Sequence, residues 1–339
     1  MGRLCIGSPL IFIRRKHLVT WQIPEGDIDV LSVGEALVDF ISIEAVDRVE
    51  QADGFHCYLG GSVTNLAANV ARLGGQAAVA ARVGDDPFGR FVRREMERRG
   101  VITDYLKTDV ATHTTLAFIT RSAATADFVI YRGSDTCLLP KDVPQAAIER
   151  ARVVHTSVFA LSQESSRSAV LDTLRRARAR GCLISLDPNY HPRLWDASRP
   201  AAEVLAEACR YVDVVKPSGD DCRRLFGAGT SVTDCVRHFH DWGVKRVVLT
   251  QGARGISIYE EGQLVHVKSR DVPVTDATGA GDAFWAGFLV ATLDGRSLYE
   301  AVLFGREVAE MKVGTVGPIA DTLDKVAIYQ RIAAARSGT

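Results

Sequence analysis

The chain has no excess of either charge, no long apolar run and no paired-cysteine motif. Lys+Arg and Asp+Glu are equal at 41 each, so the basic footprint of a nucleic-acid or membrane-surface binder is missing. Leu10-Ile11-Phe12-Ile13 is too short to span a bilayer, and Arg14-Arg15-Lys16 follow it, whereas in a secretory signal the basic residues come first. Residues 1–27 therefore read as a disordered or loosely docked N-terminal extension. The seven cysteines, at 5, 57, 137, 182, 209, 222 and 235, are odd in number and scattered with no CxxC pair. They read as reduced, mostly buried thiols of a cytoplasmic protein. Cys235 and His238 share a helical spacing, but no second ligand pair follows, so a solvated helix face is the reading there. The first strand-to-helix turn, Gly34-Glu35-Ala36, lacks GxGxxG, which excludes an ordinary dinucleotide-dependent oxidoreductase. There is no internal repeat and no low-complexity tract.

What is there is a repeated alternation of short β-rich runs with helical stretches. Strands are expected at 30–33, 77–82, 153–156, 183–187, 212–216 and 246–250, with helices at 86–99, 165–180, 200–211 and 220–226. In a chain of 339 residues this predicts an α/β fold, a doubly wound and mostly parallel sheet flanked by helices. Two β-prone stretches without helical spacing, 37–58 and 113–132, break the alternation and are expected to form a small antiparallel layer outside the main sheet. The resulting division is a core of 28–38, 59–112 and 133–330, a β layer of 39–58 and 113–132, and a C-terminal tail of 331–339. An uncovered β layer needs a partner for its face, which predicts a homodimer through that layer.

Two segments carry chemistry. In Val274-Thr275-Asp276-Ala277-Thr278-Gly279-Ala280-Gly281-Asp282-Ala283-Phe284 a β-like run passes through small residues into an apolar helix. Gly279, Ala280 and Gly281 let backbone N–H groups crowd around an anion at the positive end of that helix. A carboxylate at Asp282 would repel the anion, but it is well placed to take a proton from a hydroxyl that attacks phosphorus. A Gly-rich turn with Asp282 as an ordinary helix N-cap is the alternative. Far upstream, Gly60-Gly61-Ser62-Val63-Thr64-Asn65 opens a helix with Leu66, Val70 and Leu73 on one face, followed by Val83-Gly84-Asp85-Asp86-Pro87-Phe88-Gly89.

Together, in this order, the segments resemble the two signatures of the PfkB (ribokinase-like) carbohydrate kinases, and the resemblance extends over roughly residues 28–330. It implies a ribokinase-like fold whose β layer is a lid over a sugar site, and transfer of the ATP γ-phosphoryl group to a sugar hydroxyl. Asp282 matches the family's general base and Gly279 to Gly281 its anion hole. Asp39, Gly60, Gly61 and Asn65 match sugar-binding positions, as do Tyr131 and Arg132 of the lid and Asp187 and Asn189 of the segment Asp187-Pro188-Asn189-Tyr190-His191-Pro192-Arg193. Thr250, Gly252 and Gly255 match the T-x-G segment along the nucleotide, although a plain β-turn has the same pattern. Ser218 and Asp221 stand for the family's N-x-x-E element, which organises Mg²⁺ through water, and a capped helix start is the alternative for Ser218. Asp276, Thr278 and the loop Val313 to Gly317 match the surroundings of a monovalent cation, K⁺. Arg306 falls where a small residue near adenine is usual. In the D-x-N-x-R segment His191 replaces an Arg that would hold a sugar acid's carboxylate, which favours an uncharged hexose such as fructose. Kinases of 2-keto-3-deoxygluconate and 5-dehydro-2-deoxygluconate, a nucleoside kinase and a non-catalytic sugar sensor are the alternatives.

Overall fold

The computed structural model describes residues 21–121, 126–196, 198–315, 317, 319 and 323–337. Its strands, in chain order, are β1 (Ile28–Val33), β2 (Leu37–Ala45), β3 (Phe55–Gly60), β4 (Ala77–Gly84), β5 (Leu106–Asp109), β6 (Thr115–Arg121), β7 (Phe128–Tyr131), β8 (Ala151–Ser157), β9 (Leu183–Asp187), β10 (Val214–Val215), β11 (Arg246–Thr250), β12 (Ile256–Glu260) and β13 (Gln263–Val267). Nine of them form one sheet in the order β13-β12-β11-β10-β9-β8-β1-β4-β5. From β11 to β5 neighbours run parallel, and β12 and β13 add an antiparallel hairpin at one edge.

The apolar runs are continuous because the sheet is covered on both faces. Along β1, Val30 enters one core cluster and Leu31 the other; along β8, Val153 and Val154 divide in the same way. The helix Ala280–Leu293 is buried on all sides from Asp282 to Thr292, so its residues are apolar all round and lack an amphipathic stripe. It lies against the helices Ser62–Arg72 and Leu298–Val313. Trp285, fully buried at its centre, stacks on Phe288 and donates through Nε1 to Ser185 Oγ of β9 at 2.7 Å. That bond ties the helix to the middle of β9. Chain order along the sheet reverses at β1, which has β8 on one side and β4 on the other, and ligands of open α/β sheets bind at such a switch point.

The remaining strands form the lid, in the order β3-β2-β6-β7. Its outer pairs are antiparallel, but β2 and β6 run parallel, so the layer is mixed where an all-antiparallel one was expected. Both strands of that pair leave the main sheet in the same direction, which the local β propensity of each segment does not reveal.

Four other expectations are corrected. Residues 21–27, assigned to a loose extension, are docked: Trp21 meets Phe288 edge-on and the Arg246 guanidinium lies 4.1 Å from its ring centroid. Residues 1–20 lie outside the described residues. The tail does not begin at 331, because a helix runs through Lys325–Ser337 and buries Ile332. Lid strand β2 begins at Leu37, ahead of the expected boundary at 39. Cys222 and Cys235 form a disulfide, with Cα atoms 5.7 Å apart, so the cysteines are not all reduced; Cys182, Cys209, Cys222 and Cys235 are buried as expected, and Cys57 is exposed. The bridge joins two neighbouring helices, Gly219–Phe226 and Val232–Asp241, whose packing a spacing rule does not foresee.

Candidate active site

Gly279 is the N-cap of the helix Ala280–Leu293 and takes φ +74°, a left-handed conformation that glycine adopts without a Cβ penalty. Asp282 is therefore inside the first turn and is not the cap. Its carboxylate is held from the opposite end of the sequence: Ser62 Oγ donates to Oδ1 at 2.7 Å and Asn65 Nδ2 donates to Oδ2 at 3.2 Å. Burial, followed by the charge of Asp187, raises the Asp282 pKa to about 7, against the lowering effects of Ser62, Lys216 and Asn65. A carboxyl with that pKa is matched to general-base work near neutral pH.

Lys216, just beyond β10, supplies the cation. Its Nζ is paired with Asp187 Oδ2 at 2.9 Å, and a Cβ placed on Gly281 would lie 3.4 Å from it. Burial opposes the ammonium charge, but Asp187, Asp221 and Asp282 outweigh it and hold the Lys216 pKa above its ordinary value. The glycine-rich turn thus has its N–H groups on one side and a buried ammonium on the other, an arrangement suited to the equatorial oxygens of a transferring phosphoryl group.

The start of the helix Ser62–Arg72 is fixed by Glu35. This acid follows β1 and accepts from Ser62 N at 2.7 Å through Oε1 and from Ser157 Oγ at 2.8 Å through Oε2. Its pKa is raised to about 7 by burial. Asp39, on β2, is raised to about 7 by burial and then by Glu35. A Cβ on Gly60 would fall 2.4 Å from Asp39 Cγ, and one on Gly61 2.8 Å from Glu35 O, so the glycine pair makes room for both acids. One cleft is lined by Asp39, Tyr58, Asn65, Thr278, Gly279 and Lys312, which brings two of the expected sugar-binding residues, Asp39 and Asn65, to the glycine-rich turn.

Other expected residues fall in different places. Tyr131 pairs with Leu116 and touches Phe118 edge-on, on the lid face that carries Phe40, opposite to Asp39. It is 62% exposed and is not brought to the cleft. Arg132 is spent on packing: it pairs with Asp135, donates to Ser162 Oγ at 3.0 Å and lies over the Phe159 ring. Asn189 is exposed in the turn after β9, with φ +37°. Asp187 stands at the centre, buried, its Oδ1 without a hydrogen-bond partner among the described residues.

Ser218 and Asp221 form a capping box at the helix Gly219–Phe226, with Asp221 N donating to Ser218 Oγ and Ser218 N donating to Asp221 Oδ2. Asp221 Oδ1 accepts from Tyr190 N. Thr250 N donates to Pro217 O at 2.9 Å, so the turn from Thr250 through Gly252 to Gly255 runs beside Ser218 along the strand ends. Arg306 Nη1 donates to Lys268 O, which fixes it against the main chain after β13. Among the described residues there is no cluster of three or more His, Cys, Asp or Glu placed to hold a metal.

Around Asp276 the oxygens expected to face a monovalent cation instead face Lys312. Its Nζ lies 3.4 Å from Asp276 O, 3.5 Å from Asp276 Oδ2 and 3.3 Å from Thr315 O. Thr278 N donates to Asp276 Oδ1 at 2.9 Å. Val316 of the expected loop lies outside the described residues.

Glu35, Ser62, Lys216 and Lys312 were not assigned roles from sequence. The first three lie within or beside segments already singled out for glycines or acids, and a lone Lys before Pro217-Ser218 is their clearest signal.

The profile of the pfkB family carbohydrate kinases matches residues 27–325. An ATP-dependent 6-phosphofructokinase of Thermoanaerobacterium thermosaccharolyticum is 33% identical over 296 residues, covering 87% of this chain and 91% of that one. The fructokinase of Halothermothrix orenii superposes with a TM-score of 0.74 at 33% identity, covering 86% of this chain and all of that one. A double-mutant fructokinase of Vibrio cholerae, in its fructose, ADP and potassium ion bound form, gives a TM-score of 0.79 at 25% identity, covering 91% and 99%. The ribokinase-like fold, the two signatures and these likenesses agree: the chain belongs to the pfkB family of carbohydrate kinases, phosphotransferases with an alcohol group as acceptor.

Proposed function

We propose that this kinase transfers the γ-phosphoryl group of ATP to a hydroxyl of an uncharged, fructose-like hexose. The observation that carries the reading is the Asp282 carboxylate, poised by Ser62 and Asn65 one turn inside the cradle and within the field of Lys216. With sugar in the cleft, Asp282 takes the proton of the acceptor hydroxyl, and the oxygen attacks the γ-phosphorus in line with the departing ADP oxygen. Charge on the phosphoryl oxygens meets the N–H groups of Gly279 to Gly281 and the Lys216 ammonium. Thr250, Gly252 and Gly255 line the nucleotide side, and Asp39 and Asn65 accept from and donate to the sugar hydroxyls.

Mg²⁺ arriving with the nucleotide supplies further neutralisation of the phosphates. Asp221 and Asp187, whose Oδ1 has no hydrogen-bond partner among the described residues, are the carboxylates that would hold its water shell.

The neutral-sugar choice rests on the segment after β9. His191 is packed edge-on against Phe128, and Arg193 is turned away to Asp127 of the lid. No guanidinium from this segment faces the cleft to receive a sugar acid. The 33% identity to a 6-phosphofructokinase favours a second reading in which the acceptor is fructose 6-phosphate. The lid face bearing Val129 and Tyr131, exposed beside Phe40 and Phe118 and flanked by the exposed Phe88 of the helix Pro87–Arg98, supports a homodimer through the lid. No helix among the described residues is long and apolar enough to cross a membrane.

The test is ADP release from Mg·ATP with fructose, fructose 6-phosphate, 2-keto-3-deoxygluconate, 5-dehydro-2-deoxygluconate, ribose and adenosine, with Asp282→Asn as control. Turnover on fructose that vanishes in the variant is expected. Turnover confined to fructose 6-phosphate replaces the first reading by the second, and turnover confined to another acceptor overturns both.

A further inference from the structure

Lys312 is a buried ammonium with no role in the chemistry described above. It lies in the last turn of the helix Leu298–Val313, and its side chain is 6% exposed. A charge taken out of water is tolerated only where it is compensated. Here compensation comes from three oxygens at 3.3 to 3.5 Å, two of them main-chain carbonyls and one a carboxylate. The carboxylate belongs to Asp276, itself fully buried, and each of its oxygens is also bonded to the chain that follows the cradle or precedes it: Oδ1 accepts from Thr278 N, and Oδ2 from Gly317 N at 3.4 Å. Thr275 N donates to Val313 O at 2.7 Å, fastening the same turn to the helix end. Lys312 Cε stands 3.9 Å from where a Cβ of Gly279 would be. The ammonium therefore sits beside the anion turn at the edge of the cleft, in an oxygen cage with the composition that holds a bare monovalent cation.

We propose that Lys312 is a built-in monovalent cation, which shapes the turn from Asp276 to Gly279 for the phosphate and makes nucleotide binding and turnover independent of added K⁺. A lysine ammonium is a compact, unipositive charge on a flexible stem, so it replaces such an ion in both charge and size. Tethering it to the helix end also places a cation where the helix dipole favours one. Lys312 is a positioning residue: it touches the loop, and the loop touches the phosphate.

This inference rests on the kinase reading only for its turnover arm, so the test has two readouts. ADP affinity is measured by calorimetry, and ADP release by coupled assay, each in KCl and in choline chloride of equal ionic strength, for the wild type and for Lys312→Ala. The wild type is expected to give the same ADP affinity and the same rate in both salts. The variant is expected to lose about tenfold or more in choline, mainly as a raised KM for ATP, and to recover in KCl as potassium enters the vacated cage. Activation of the wild type by potassium overturns the proposal, and this arm stands even if the variant does not fold. A folded variant equally impaired in both salts, or impaired in neither, also overturns it. Salt-independent ADP binding with no turnover on any acceptor would fault the substrate reading and leave the cation assignment supported.

Discussion

Ser62 Oγ donates to Asp282 Oδ1 at 2.7 Å across 220 positions of sequence. The contact joins the first turns of two helices, one entered through a glycine pair and the other through a left-handed glycine. Asn65, one turn after Ser62, reaches the second carboxylate oxygen. The Asp282 carboxylate is thus oriented by the element that also borders the cleft.

Replacing Asp282 by Asn removes the proposed base and keeps the shape, with the amide able to accept from only one of the two donors, Ser62 Oγ and Asn65 Nδ2. A positioned base is worth roughly 100- to 10,000-fold, and turnover should fall by that order. ATP affinity, measured by calorimetry, should change little.

The pH dependence has a definite sign. Asp282 is raised from 3.8 to about 7, so kcat/KM should climb as pH rises through about 7 and the carboxyl ionises. Stability runs the other way. A carboxyl whose folded pKa lies above its unfolded value binds more protons when folded, so its favourable contribution is present below about pH 4 and is lost as pH rises to about 7. Asp282→Asn should therefore melt higher than wild type at pH 8 and close to it at pH 4, a comparison that calorimetric melting checks.

Lys216→Met removes a buried cation from among Asp187, Asp221 and Asp282. Breaking one side of a buried pair costs about 3–5 kcal/mol, which denaturant titration should detect. Because Lys216 lowers the Asp282 pKa, the acidic limb of the rate profile should also move to higher pH. A merely structural lysine would lower the melting temperature and leave that limb in place.

Gly60→Ala places a methyl 2.4 Å from Asp39 Cγ. The Asp39 side chain must move, and a displacement near 1 Å in a binding group can cost about 100-fold. The KM for sugar should rise sharply while the KM for ATP stays near wild type, a split that initial-rate kinetics resolves.

Arg132→Ala should act on stability before it acts on sugar binding. The guanidinium is 12% exposed and is shared between Asp135, Ser162 and the Phe159 ring. A melting temperature lowered by several degrees with an unchanged sugar KM is expected, since removing such a partner costs on the order of 1–3 kcal/mol.

Local signals in this sequence were those whose cause is local. The glycine-rich turn at Gly279 to Gly281, the capping residues around Ser218 and the apolar runs of β1, β8 and β9 follow from the chemistry of neighbouring residues, so strand and turn could be read directly and the acid at Asp282 singled out. The pairing of β2 with β6 in parallel, the Cys222–Cys235 bridge, the outward direction of Tyr131 and the docking of Trp21 depend on which distant segments meet. The same holds for the charges. A lysine in a sequence is by default a solvated one, and only the tertiary structure buries Lys216 against Asp187 and encloses Lys312 between Asp276 and Thr315. Residue identity determined the family and singled out Asp282; burial and long-range proximity decided which groups carry charge next to it, because the cost of a charge depends on its surroundings.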